Sequence, residues 1–376
     1  MLLKAAGYIV SYWFEQMNYT YKKIWLIVFP VMMSILIEQL INITDALFLG
    51  HVGDVELGAS ALAGIWFLAI YMLGFGFSLG LQVIIARRNG EQWYAETGKT
   101  FFQGLFFLLI LAVLLCMLSE IFSPVLLKHL ITSDDVYNAV IRYLDWRIWG
   151  LLFSFPFLAL RSFLVGITQT KSLNMAAFTA VLVNIPLNWL LIFGFDMGIS
   201  GAAIASSSAE MCSLAVLAAY MFRHIDKKVY GLYWRIDITI LKEVFSISVW
   251  SMLQFFTSVA IWFLFFVAIE RLGETELAVS NIVRSVSALF SVIVNALAGV
   301  TGSLVSNLIG AGEKKQVFPL CHKIIRLGYA TGIPLITFAL FFHQHIIGAY
   351  TENPAIVQLA WPPFLVMLLN YFFALP

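Results

Sequence analysis

The chain has 376 residues, of which 61% are hydrophobic and 11% are charged, and its formal net charge is +1. A soluble domain is about half apolar and about a quarter charged, so this composition excludes a protein with a water-facing surface throughout. The unbroken apolar runs of about 20 residues or more predict transmembrane helices, because a barrel would use short alternating segments. The basic residues form no stripe, which argues against a nucleic-acid partner.

Ten membrane-spanning helices are predicted from hydropathy. In chain order they are 24–50, 57–86, 100–122, 136–165, 173–195, 199–222, 240–270, 277–309, 317–347 and 357–376. A polar stretch in the middle separates two halves. The predicted organisation is an N-terminal cytoplasmic segment 1–23, an N-lobe 24–222 with helices 1–6, a cytoplasmic linker 223–239 and a C-lobe 240–376 with helices 7–10.

Lysine and arginine are distributed unevenly between alternate loops. With the N-terminus in the cytoplasm, 16 of them fall in cytoplasmic loops and 2 in outer loops. Because basic loops are retained on the cytoplasmic side of a membrane, this bias predicts a cytoplasmic N-terminus and an integral protein of the cytoplasmic (inner) membrane.

An internal repeat connects the two halves. The sequence that starts at Gly53 after the first span, GDVELGAS, is similar to GETELAVS, which starts at Gly273 after the seventh span, 220 residues later. Six spans separate the copies, and an even number gives both halves the same orientation, as in transporters built from parallel repeats. The predicted fold is therefore an all-α integral membrane protein of two six-helix lobes. Two full copies need about 450 residues at this repeat length, so we expect the second lobe to lack helices 11 and 12.

Several motifs together resemble the multidrug and toxic compound extrusion (MATE) transporters. They are Asp45, the segment LRSFLVG at Leu160–Gly166, Gln169 with Lys171, NIPLN at Asn184–Asn188, and GISGAAIA at Gly198–Ala205. The resemblance extends from about residue 24 to the C-terminus. It implies twelve helices in two lobes, and export of organic cations driven by a sodium or proton gradient.

Carboxylates within the spans are the first candidates for function, because an ionised carboxylate in a bilayer costs about 2.5 kcal/mol or more. Glu38 and Asp45 are two helical turns apart on the first span and share one face, about 10 Å apart along the axis. One carboxylate binds either a proton or a cationic substrate, and this competition is the basis of antiport. Asp45 matches the aspartate that the resemblance implies in helix 1, and we expect it to bind the coupling ion or the substrate.

Three polar residues of the fifth and sixth spans are expected to join Asp45. Asn184 and Asn188 lie one turn apart, and the resemblance implies that they hydrogen-bond the helix 1 aspartate. Some relatives carry an acid at one of the two positions. Ser206 stands where the family frequently has threonine. Pro30 matches the proline at which family members bend helix 1, so it is the candidate hinge.

Other polar positions receive less specific interpretations. Glu38 is a second candidate for the coupling site, because the helix 7 position that carries a glutamate in sodium-coupled relatives is Ser258 here. Asp145 and Glu210 are expected to serve as internal ion-pair or capping groups, and Asp145 lies three residues after Arg142 and two before Arg147. The pair Gly76 and Gly80 predicts close helix packing.

These observations predict a proton- or sodium-coupled antiporter that exports organic cations and drugs, acts as a monomer in the lipid bilayer, and contains no cofactor or metal site. One alternative is a lipid-linked oligosaccharide flippase of the same superfamily, although a cavity for pyrophosphate favours interior Arg and Lys. A second alternative is a major-facilitator-type carrier. An integral-membrane enzyme is not expected, because no metal-ligand cluster, nucleotide-binding loop or catalytic triad spacing is present in the sequence.

Overall fold

A computed structural model describes residues 19–131, 133–233, 237–270, 274–348 and 354–376. Twelve α-helices and no strands are found in these ranges. The helices are α1 (Tyr21–Val52), α2 (Asp54–Gly90), α3 (Tyr94–Leu130), α4 (Asp134–Arg147), α5 (Leu151–Gly166), α6 (Lys171–Trp189), α7 (Gly198–His224), α8 (Ile238–Glu270), α9 (Glu274–Gly310), α10 (Val317–Phe341), α11 (His343–Gly348) and α12 (Pro354–Ala374). Most of the predicted segment 1–23 lies outside the described residues.

Ten helical stretches of the described residues are long and apolar enough to cross a membrane. Each of them overlaps one predicted span, so the all-α membrane fold is confirmed. Helix α2 has 37 residues, about 55 Å, and it continues past the predicted end at 86 because Arg87, Arg88 and Asn89 remain helical outside the apolar segment. The predicted ninth span was too long, since α10 ends at Phe341 and a separate short helix, α11, follows it.

Two of the spans are interrupted next to polar residues. The fourth span consists of α4, a 3₁₀ turn at Ile148–Gly150, and α5. The fifth span consists of α6 followed by a π-helical turn at Leu190–Gly194. Such turns change which side chains share a face of the helix, and π-helical turns are frequent at functional sites.

The repeat is visible in the lengths of two helices. Helices α2 and α9 each have 37 residues; their first residues, 54 and 274, and their last residues, 90 and 310, both differ by 220. The second helix of each half therefore has the same length and the same glycine at its end, as expected for two lobes related by a parallel repeat.

The lobes pack most closely through small residues. A Cβ atom at Gly76 of α2 would lie 2.5 Å from Cα of Met252 in α8, and one at Gly80 would lie 2.8 Å from Cα of Ser248. The predicted close packing at Gly76 and Gly80 is thus confirmed, with α8 of the second lobe as the partner. Small residues let backbones approach in this way where lipid supplies no hydrophobic force between helices.

One end of the bundle, which we call the basic end, contains the loops 91–93, 167–170 and 311–316 and the described loop residues 225–233. Polar contacts join the two lobes there. Arg88 of α2 forms an ion pair with Glu243 of α8 at 2.7 Å, and Asn89 Nδ2 donates to Asn307 Oδ1 of α9 at 2.7 Å. Asn307 Nδ2 in turn donates to the carbonyl of Gly166 at 2.9 Å.

Candidate functional site

Asp45 of α1 is held by residues from two other helices. Asn188 Nδ2 of α6 donates to Asp45 Oδ1 at 2.5 Å, and Ser206 Oγ of α7 donates to Asp45 Oδ2 at 2.7 Å. Asn188 Nδ2 also donates to Asn184 Oδ1 at 3.0 Å, and Asn184 Nδ2 donates to Ser206 Oγ at 3.2 Å. We call these four residues the Asp45 site. Each oxygen of the carboxylate has its own donor, which stabilises the ionised form.

Local sequence explains how α6 presents its two amides. Asn184 and Asn188 are four residues apart and therefore lie on one face of the helix. Both are fully buried. Pro186 lies between them and the π-helical turn begins two residues after Asn188, so the regular backbone hydrogen-bond pattern is interrupted at the site.

One oxygen of the site has no donor. Asn188 Oδ1 is buried, and none of the described residues hydrogen-bonds to it. A buried amide oxygen without a partner costs about 1–3 kcal/mol. Together with the two carboxylate oxygens of Asp45, it gives the site spare acceptor capacity for a proton or a small cation.

Glu38 lies apart from the Asp45 site. It is an exposed residue, and a hydrogen bond of 3.5 Å from Ser34 Oγ, one turn earlier on α1, reaches its carboxylate. Arg161 of α5, Glu210 of α7 and Tyr71 of α2 lie within electrostatic range of it. Glu38 is therefore accessible while surrounded by polar groups of the first lobe, which places it at an open cleft among these helices.

The internal ion pair expected of Glu210 lies beside the site, and its partner is Arg147. Arg147, the last residue of α4, forms a bidentate ion pair with Glu210 of α7. Its Nη2 lies 2.6 Å from Oε1 and its Nη1 lies 3.0 Å from Oε2. The internal role expected of Asp145 is wrong, since Asp145 is exposed and the nearby Arg147 guanidinium points to another helix. The spacing of Ser206 and Glu210 by four residues is a sequence signal that could have linked Glu210 to the site.

Pro30, the candidate hinge, and two aromatic residues of α2 occupy defined positions. Pro30 is buried within α1, which runs without interruption from Tyr21 to Val52. Trp66 donates its indole N–H to Ser123 Oγ at 2.9 Å, which ties α2 to α3. Tyr71 stacks between Phe67 and Phe75 along α2, with ring centroids 6.2 and 6.4 Å apart.

Comparison with known proteins gives a consistent result. The MatE family matches residues 30–190 and 251–376. The probable multidrug resistance protein NorM of Rhizobium meliloti is 24% identical over 332 residues, covering 86% of this chain and 71% of its own length. The multidrug resistance protein NorM of Vibrio cholerae is 22% identical over 339 residues, covering 88% and 74%. MdtK of Yersinia pseudotuberculosis, also a multidrug resistance protein, is 24% identical over 340 residues, covering 88% and 74%.

Solved structures share the fold. The eukaryotic MATE transporter AtDTX14 superposes with a TM-score of 0.84 at 19% identity, covering 94% of this chain and 80% of its own. A transporter of the MOP superfamily from Pyrococcus furiosus gives a TM-score of 0.82 at 20% identity, covering 94% and 82%. Both solved structures are of transporters, the family match covers most of the chain, and ten described helices are long and apolar enough to cross a membrane. The protein is therefore an integral membrane member of the MATE family.

Proposed function

We propose that the protein is an antiporter that exports organic cations and uses an inward gradient of protons or sodium ions. The observation that carries this proposal is the Asp45 site: a carboxylate within a membrane-spanning helix, held by Asn188 and Ser206 and lying next to a buried acceptor oxygen. A carboxylate in such a position needs either a partner or a function, and the site offers it hydrogen bonds but no ion pair.

Exchange follows from the charge of this one group. Asp45 is compensated when it binds a proton or a sodium ion, and equally when the positive group of a substrate lies beside it. One carboxylate cannot bind the coupling ion and the cationic substrate tightly at the same time. Binding of the coupling ion therefore displaces the substrate. Ser206 and Asn188 keep the carboxylate in place when neither is bound, so the empty site stays ready for the next cation.

The position of the site supports a defined direction of transport. Asp45 lies eight residues before Gly53, the cap that follows α1, and is therefore in the half of the first lobe away from the basic end. The contacts of Arg88 and Asn89 with the second lobe close the basic end. We place the basic end in the cytoplasm because Lys and Arg are concentrated there, so in this state the site would be open to the outer side.

The flippase alternative is less well supported by the interior charges. The ionisable residues around the first-lobe cleft are three carboxylates, Glu38, Asp45 and Glu210, and two guanidiniums, Arg147 and Arg161. One guanidinium is already engaged by Glu210. An anionic pyrophosphate favours an excess of positive charge, whereas carboxylates outnumber guanidiniums among these residues. The match to the MatE family leaves the major-facilitator alternative without support.

Ethidium efflux from cells that lack their own multidrug pumps would test the proposal. We expect wild-type protein to lower intracellular ethidium and Asp45→Asn to abolish gradient-driven efflux at equal protein amount. Asp135→Asn is a matched control, because Asp135 is exposed at the start of α4. Full efflux by the Asp45→Asn variant would contradict the proposal, and replacing sodium by choline would distinguish the two coupling ions.

A further inference from the structure

The Arg147–Glu210 ion pair connects three helices of the first lobe. Its two hydrogen bonds of 2.6 and 3.0 Å link α4 to α7. The same guanidinium lies 3.8 Å from the centroid of the Phe67 ring on α2, a cation–π contact. The side chains are 12% and 26% exposed, so little solvent surrounds the pair. One guanidinium therefore fixes the relative positions of α2, α4 and α7.

The pair is also one helical turn from the Asp45 site. Glu210 follows Ser206 by four residues on α7, so the two side chains lie on the same face about 6 Å apart along the axis. Ser206 donates to Asp45 Oδ2 at 2.7 Å. Any rotation or sliding of α7 that breaks the contact with Arg147 also displaces the Ser206 hydroxyl from the carboxylate.

The backbone around the pair is shaped to accept it. The 3₁₀ turn at Ile148–Gly150 begins directly after Arg147. A Cβ atom at Gly150 would lie 2.5 Å from Arg147 Nη1 and 2.9 Å from Glu210 Oε2. Only glycine leaves room for the two side chains at this position. The 3₁₀ turn and its last residue, Gly150, therefore both allow the ion pair to form.

Stability alone is a weak reason for a partly buried ion pair, because well-packed apolar residues of the same size are often as stabilising. We propose that Arg147 and Glu210 are positioning residues, which hold α7 so that Ser206 donates to the Asp45 carboxylate. Gly150 provides the space for the pair. This inference rests on the proposed function and assigns to the same site a support that lies outside its four residues.

A double-mutant cycle between Glu210 and Ser206 tests the positioning role. Efflux of ethidium, and its binding to the purified protein by fluorescence, are measured for Glu210→Gln, Ser206→Ala and the combined variant. If Glu210 acts through Ser206, Glu210→Gln lowers affinity about tenfold in the wild-type background and changes nothing further in the Ser206→Ala background. Losses that multiply in the combined variant would overturn the positioning role.

A second variant separates positioning from the cost of an unpaired charge. Arg147→Gln with Glu210→Gln removes both charges and leaves no buried ion alone. We expect this double variant to remain folded, as judged by its thermal stability, and to keep the tenfold loss, whereas recovery to wild-type binding would contradict the inference. Glu96→Gln is the control, since Glu96 pairs with Lys99 within α3 alone. If Asp45→Asn does not impair efflux, the result counts against the proposed function. If the losses of Glu210→Gln and Ser206→Ala multiply in the combined variant, the result counts against the positioning role only.

Discussion

Two carboxylates on one face of α1 have different surroundings. Asp45 accepts hydrogen bonds from Asn188 and Ser206 at 2.5 and 2.7 Å, whereas Glu38 accepts one of 3.5 Å from Ser34. Glu38 is also the more accessible of the two. A carboxylate with few donors and open access is suited to contact a substrate directly, while one enclosed by donors is suited to bind a small coupling ion.

This difference predicts separate effects of two substitutions. We expect Glu38→Gln to weaken ethidium affinity by up to about tenfold, the size of one charge-assisted contact, while efflux remains dependent on the ion gradient. Asp45→Asn should instead abolish that dependence. The concentration dependence of efflux, measured with and without the gradient, distinguishes the outcomes, and Glu38→Asp serves as the charge-retaining control. Loss of gradient dependence in Glu38→Gln would show that substrate contact and ion binding are not assigned to Glu38 and Asp45 separately.

At the scale of helices, α2 and α9 cross at equivalent positions of the repeat. A Cβ atom at Gly90 would lie 2.8 Å from the carbonyl carbon of Asn307, and one at Gly310 would lie 3.0 Å from that of Arg87. Positions 87 and 307 differ by 220, as do 90 and 310, so each helix contacts the other through the same two positions. The sequence repeat thus places a symmetric backbone contact between the lobes at the basic end.

Gly310→Ala is expected to force α2 and α9 apart and to destabilise this contact by about 1–3 kcal/mol, the usual cost of overpacking. Gly299→Ala on the same helix is a matched control, because no atom lies within 4 Å of a Cβ there. In a helix interior that change should be neutral or stabilising by about 0.5–1 kcal/mol. Thermal unfolding of the two purified variants gives the comparison, and equal stability would argue against a close crossing.

At the scale of the whole molecule, the lobes are joined at the basic end and the Asp45 site lies in the opposite half of the first lobe. Besides the Asn89–Asn307 contact, Gln82 Nε2 donates to the Gly299 carbonyl at 2.7 Å, and Ser303 Oγ donates to the Val165 carbonyl at 2.8 Å. These bonds connect α2 and α5 with α9. Access from the basic end requires the lobes to separate and the bonds to break.

Cross-linking the lobes should therefore stop transport. In a background in which Cys116, Cys212 and Cys321 are replaced, Asn89→Cys with Asn307→Cys treated with a short bifunctional thiol reagent should lose ethidium efflux by more than about tenfold. The control pair, Arg142→Cys with Ser200→Cys, joins α4 and α7 within the first lobe, where Ser200 Oγ donates to the Arg142 carbonyl at 3.4 Å. Undiminished efflux after cross-linking residues 89 and 307 would exclude separation of the lobes at this end.

The sequence by itself determined the ten spans, the repeat and much of the Asp45 site. Hydrocarbon as solvent forces long apolar helices, and the periodicity of one helix shows that Asn184 and Asn188 share a face. The resemblance to a known family then suggested that Asp45 and Ser206 would lie next to Asn184 and Asn188. The function of these residues stays a prediction until the efflux assays are made.

Only the tertiary structure decided which faces of different helices meet. It paired Arg147 with Glu210 across 63 residues of sequence, left Asp145 exposed, and gave Asp45 donors from two other helices. In a soluble helix a stripe of apolar residues would mark the inward face, but lipid is as apolar as the core, so the sequence shows no such stripe. The rotation of each helix about its axis therefore depends on packing, and in the fourth span also on the 3₁₀ turn at Ile148–Gly150 and the space left by Gly150.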